Sequence, residues 1–215
     1  MWLGDIARLP IDEQYYLLSE NVESDHTIGS EFYDGQIECI FSKLSPENEL
    51  IKCRADFFEF LFQKYSEKFS SLDNETFKMI EDLNPPILFT EKELRDKYDT
   101  LNKILIESLD NNILNKLLKS RGLNFKNLGS LKKLQSFLEK EYPNADIKGI
   151  ISPLFVLYDL RVAYSHISSD EGKREVLEFV CDRLKIEGKE NDSKKIYNTL
   201  VNELIKCYKD FIKLV

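Results

Sequence analysis

The chain has 215 residues, 42% of them hydrophobic and 12% aromatic, which is enough for one sizeable core and is neither disordered nor collagen-like in composition. Its net charge of −8 is uneven: residues 1 to 44 carry nine acidic and two basic side chains, and residues 45 to 215 carry 29 and 28. No apolar run approaches the ~20 residues of a bilayer span, the first residues lack the pattern of a secretory signal, and eight glycines form neither GxGxxG nor GxxxxGK[ST], so a cytoplasmic protein without membrane association or a phosphate-cradling loop is expected.

Residues 1 to 44 read as an N-terminal accessory segment. They offer a helix at 11 to 19, a turn-rich stretch around Asp25 and Gly29, and "GQIECIF", which is either a strand or the lead-in to the next helix. From residue 45 onward helix signals repeat. Ser45-Pro46 supplies a cap and a first-turn proline, and Leu50, Arg54, Phe57, Leu61 and Tyr65 form one stripe of a helix that should end near Phe69. Asp73 can cap a short helix carrying Phe77, Ile80 and Leu83, which "NPP" at 84 to 86 stops. Thr90 with Glu93 forms a capping box, and Leu94, Tyr98, Leu101, Leu105 and Leu109 then keep helical period.

"ILNKLLKSRG" predicts a short helix ended by Gly122, and Ser130 a cap for "LKKLQSFLEKEY". A long run follows at 148 to 166. Asp170 starts a helix through Leu177, Val180, Cys181 and Leu184, closed by Gly188, and Ser193 can cap a last one with Tyr197, Leu200, Val201, Leu204, Tyr208 and Phe211 on its stripe. Almost nothing alternates with period two, so residues 45 to 215 should form an all-α bundle.

The cysteines Cys39, Cys53, Cys181 and Cys207 are far apart and mostly lie in apolar helical patterns, which suits buried thiols rather than disulfides or zinc. The two histidines, His26 and His166, are too few for a histidine-rich metal centre, and no cofactor is expected. Between Asp110 and Glu139 there is no acidic residue, while Lys116, Lys119, Arg121, Lys126, Lys132 and Lys133 occur there. That local excess suits phosphate contacts, with Arg121, Lys132 and Lys133 as candidates; an ordinary solvated face is the alternative.

The run 148 to 166 has two apolar sides. Val156, Leu157, Leu160, Ala163 and Tyr164 share an arc of about 120°, while Ile151, Leu154, Phe155, Tyr158 and Val162 occupy the other side. Arg161 and His166 sit at its margins, about 140° apart. A helix apolar on both sides needs two covers; the second is either other helices of the bundle or a second subunit, and a homodimer whose cleft Arg161 and His166 would line is expected. An arginine can hold a phosphate by two bonds and a histidine titrates near neutrality, the two needs of phosphodiester cleavage.

"LRVAYSH", closing an apolar helix in an all-α chain, resembles the RxxxxH motif of HEPN domains (higher eukaryotes and prokaryotes nucleotide-binding). The resemblance covers the helices from about 90 to 215 and extends to those from 45. It implies a HEPN-like helical bundle, a homodimer, and a metal-independent endoribonuclease of phage-defence or toxin–antitoxin systems, with an antitoxin or companion protein as a further partner. Arg161 would then hold the scissile phosphate, and His166 would activate the ribose 2′-OH or protonate the leaving oxygen. Active members often have Asn, Asp or His directly after the arginine; here Val162 stands there, and Asp159 is the group expected to orient the imidazole. The alternative is a non-catalytic HEPN-like module for dimerisation or for binding RNA or protein. Arg161 and His166 as a helix-end cap paired with acidic neighbours is the plainest reading of all.

Overall fold

The computed structural model describes residues 6, 8–19, 45–70, 74–165, 170–186 and 192–214. The "GQIECIF" stretch, Cys39, Asp73, Gly188 and both histidines, His26 and His166, lie outside the described residues. The chain divides into two compact units at Lys43/Leu44. In the first, helix α1 (Ile11–Ser19) carries Asp12 and Glu13 in its first turn, where carboxylates suit the helix dipole. Gln14 Nε2 donates to the Leu9 carbonyl at 2.8 Å.

The second unit is all-α, with no strand among the described residues. It contains α2 (Pro46–Tyr65), α3 (Asn74–Glu81), α4 (Glu91–Asn102) continuing into a π-helical turn (Lys103–Glu107), α5 (Asn111–Ser120), α6 (Ser130–Glu141), α7 (Ile147–Ser165), α8 (Asp170–Arg183) and α9 (Ser193–Leu214). Ser45 caps α2 by accepting from the Asn48 N–H at 3.2 Å. Ser66, at φ 56° in the left-handed region, ends it by donating its N–H to the Phe62 carbonyl. The helix therefore closes before Phe69, which is buried beyond it.

Elsewhere the capping chemistry shifts by one residue or one partner. Thr90 accepts from the Glu93 N–H at 3.3 Å, but the Glu93 carboxylate passes its cap and accepts from the Ile87 and Leu88 N–H groups at 2.6 and 3.0 Å. Gly129 takes the cap position of α6, and Ser130 is its first helical residue. Asp192 rather than Ser193 caps α9, accepting from the Lys195 N–H at 2.9 Å. Asp146 caps α7 through the Gly149 N–H at 3.0 Å, so close that a Cβ on Gly149 would meet its carboxylate at 2.3 Å.

Helix α7 is central: it packs against α4, α6, α8 and α9, while α2 runs along α9. Phe57 stacks on Phe211 with ring centres 5.0 Å apart, and Tyr98 contacts Tyr164 at 5.2 Å and Tyr197 at 6.0 Å, which ties α2 to α9 and α4 to α7 and α9. Both sides of α7 are largely covered within the chain. Ile151 and Leu154, from its second apolar side, are buried; Phe155 and Val162 are half-buried, and Tyr158 is exposed. Most of the cover expected from a second subunit is thus supplied by the chain's own helices.

Candidate functional site

The π-helical turn is where the site is built. An inserted residue breaks the i→i+4 ladder and leaves carbonyls to be satisfied from outside the helix. Arg54, on the apolar stripe of α2, answers with its Nε to the Ile104 carbonyl at 3.0 Å and its Nη2 to the hydroxyls of Ser70 and Ser108 at 2.5 and 2.9 Å. Ser108 Oγ also donates to the Ile104 carbonyl at 2.6 Å, and Ser130 Oγ to the Ile106 carbonyl at 3.4 Å. The wider turn brings Glu107 back over Asn102, whose Nδ2 donates to Glu107 Oε1 at 2.7 Å across five residues.

Arg161 of α7 faces this turn. Its Nε donates to Asp99 Oδ1 at 3.4 Å, and its Nη2 lies 4.0 Å from Glu107 Oε1, which is beyond hydrogen-bond range. Neither terminal nitrogen makes a hydrogen bond among the described residues, and the side chain is 29% exposed. Lys103 braces Asp99 at 2.8 Å. Burial pushes the Asp99 carboxyl up, but the hydrogen bond and charge of Lys103, followed by those of Arg161, outweigh it and hold the group below its ordinary value. The guanidinium is thus gripped along one edge, and its Nη1–Nη2 edge is left for an anion.

Asp159 does not join this cluster. It lies on the α8 side of α7, 3.4 Å from Arg183 Nη1, and burial pushes its carboxyl above the ordinary value although Arg183 pulls it down. It shares no ion pair with Arg161, and the geometry to His166 lies outside the described residues. Asp159 instead lines a groove of about 420 Å³ with Tyr158, Val162, Glu175, Val176 and Phe179. Tyr158 is 48% and Phe179 53% exposed.

The basic stretch is divided. Arg121 is engaged inside the fold: its Nε donates to Glu141 Oε1, its Nη1 to the Leu117 carbonyl at 3.1 Å, and its guanidinium lies 4.7 Å over the Phe137 ring. Lys116 pairs with Glu67. Lys132 is exposed, and Lys133 is half-buried with its Nζ on Asn111 Oδ1 at 2.9 Å. Both belong to the first turn of α6, whose Ser130 donates to the Ile106 carbonyl of the π-helical turn.

Asp99, Asn102 and Glu107 are the functional candidates that the sequence pattern left unmarked. A signal was present: the apolar stripe steps 94, 98, 101, 105, 109, and its last step is four where helical alternation asks for three. That surplus residue is the one the π-helical turn absorbs. Among the described residues no three His, Cys, Asp or Glu side chains gather as a metal site, and no helix is long and apolar enough to cross a membrane. Comparison of the chain with protein-family models, with curated proteins and with solved structures finds no match.

Proposed function

We propose that the protein is a metal-independent endoribonuclease of the HEPN type, working in phage defence or as a toxin, with Arg161 and His166 as its catalytic pair. The observation that carries the reading is the state of Arg161: it is hydrogen-bonded through Nε, and neither terminal nitrogen makes a hydrogen bond among the described residues, which suits a phosphate that accepts two parallel hydrogen bonds. His166 follows Ser165, the last described residue of the same helix, directly in the chain, and a histidine titrates near neutrality as proton transfer requires. Lys132 and Lys133, beside the same turn, supply phosphate contacts along a strand of RNA. In this reading the chain works as a homodimer, and the exposed Tyr158 and Phe179 of the α7–α8 groove belong to the contact.

The test is purified protein on single-stranded RNA in EDTA, beside His166→Ala and Arg161→Ala. Cleavage leaving 2′,3′-cyclic phosphate ends is expected, lowered about 10²–10⁴-fold in His166→Ala. If the parent protein leaves RNA intact, or if both variants match it, the non-catalytic HEPN-like binding module replaces the enzyme. Sedimentation at micromolar concentration is expected to give a dimer that Tyr158→Ser with Phe179→Ser weakens; a monomeric parent protein rejects the assembly.

A further inference from the structure

Cleavage of RNA without a metal needs two proton transfers. The 2′-OH loses its proton as the bond from O2′ to phosphorus forms, and O5′ gains one as its bond to phosphorus breaks, leaving a 2′,3′-cyclic phosphate and a 5′-hydroxyl. In-line attack puts O2′ and O5′ on opposite sides of the phosphorus, so one imidazole does not serve both in a single step. The motif supplies one histidine to each chain, so the second proton carrier is either the histidine of the other copy or another group beside Arg161.

Two carboxylates approach Arg161. Asp99 is spent on two cations, Lys103 at 2.8 Å and Arg161 at 3.4 Å, and its carboxyl is held below the ordinary value, which makes it an anchor and a poor proton acceptor. Glu107 is placed differently. Its side chain is 50% exposed, its Oε1 is held by a neutral amide, and its Oε2 has no hydrogen-bond partner among the described residues. The 4.0 Å between Oε1 and Arg161 Nη2 is too long for a direct bond. A substrate laid across the two groups, rather than between them, can meet both, with a phosphate oxygen about 2.8 Å from the guanidinium and a ribose hydroxyl about 2.6–3.2 Å from the carboxylate.

Asn102 separates this arrangement from a chance ion pair. It is 1% exposed, and its Oδ1 is buried with no partner among the described residues, while its Nδ2 is given to Glu107. A fold that leaves a buried carbonyl oxygen unpaired gives up stability there, and what it obtains in return is a fixed direction for the Glu107 carboxylate.

We propose that Glu107, reached through the π-helical turn and aimed by Asn102, is the proton acceptor for the ribose 2′-OH, with Asp99 as the positioning residue of Arg161; this rests on the ribonuclease reading above. His166 is then the proton donor to O5′. Glu107→Gln keeps an oxygen for the Asn102 hydrogen bond and removes only the basic site, so the fold is preserved and far-UV circular dichroism verifies it.

The experiment uses the full chain and a mixed-sequence single-stranded RNA in EDTA, with a second substrate whose bridging O5′ is replaced by sulfur, a leaving group that departs as thiolate without a donated proton. Glu107→Gln is expected to cleave ordinary RNA about 10²–10⁴-fold more slowly and to bind 2′-O-methyl RNA of the same composition like the parent protein. On the sulfur substrate His166→Ala should regain its rate and Glu107→Gln should not. Rescue of Glu107→Gln by sulfur, weakened binding of the 2′-O-methyl RNA, or unchanged cleavage by Glu107→Gln beside an inactive His166→Ala each overturns the assignment and leaves the ribonuclease reading standing. A parent protein silent on RNA overturns both.

Discussion

Arg54 and Arg161 both reach the π-helical turn, one from α2 and the other from α7, and the surroundings of their guanidinium groups differ in how much of each is already used. Arg54 is 4% exposed, gives three hydrogen bonds to neutral acceptors and lies 4.7 Å over the Phe58 ring. Arg161 gives one long hydrogen bond among the described residues, through its Nε. A desolvated cation among neutral oxygens is committed to the fold through its Nε and Nη2, and its burial lowers its pKa below the ordinary guanidinium value. The same residue type therefore does two jobs around one turn. Arg54 replaces the helix ladder that the inserted residue broke, and Arg161 faces the carboxylates that the insertion brought round.

The largest effect expected from this difference is on stability. Arg54→Ala removes the donor to the Ile104 carbonyl and empties volume beside Phe57 and Phe58, and should lower the unfolding free energy by about 3 kcal/mol or more. Arg161→Ala breaks two loose, partly exposed ion pairs and should lower it by less than about 1 kcal/mol. Urea denaturation of the two variants checks the pair of values. A reversed order would make Arg161 a structural residue and remove the ground for assigning it a phosphate.

How far the sequence carries depends on the range of the interaction. Helix periods and caps are local, and Leu94, Tyr98, Leu101 and Leu105 fall on the buried stripe the pattern draws, as do Tyr197, Leu200, Leu204, Tyr208 and Phe211. Arg54 already stands on an apolar stripe in the sequence, and it is buried there. The Arg161–Asp99 contact spans 62 residues, and no local rule marks Asp99 apart from the other acidic residues of α4. Glu107 depends further on a turn of non-standard pitch, because its face follows from the residue inserted between Lys103 and Glu107. In the same way the absence of acidic residues from 111 to 138 says nothing of Glu141, which lies just past that stretch and engages Arg121.

Arg121 gives the smaller and sharper test, because it stands between the two conditions that Arg54 and Arg161 represent. It was a candidate phosphate contact by composition, yet its Nε is on Glu141, its Nη1 caps the Leu117 carbonyl, and its plane covers Phe137. The hydrogen bond from Arg121 is the main reason the Glu141 carboxyl lies below its ordinary 4.5, with burial opposing and Tyr65 assisting. A carboxyl whose folded pKa is depressed adds stability that is present above the unfolded value and is lost as pH falls through the folded one. Arg121→Gln should therefore cost about 1–2 kcal/mol at pH 7, and the gap to the parent protein should narrow as pH falls below about 4. Urea titrations at pH 7 and pH 3 measure both values. A gap that stays constant would assign the contribution to the stacking on Phe137, whereas a variant of unchanged stability that binds RNA more weakly would return Arg121 to the phosphate-binding face.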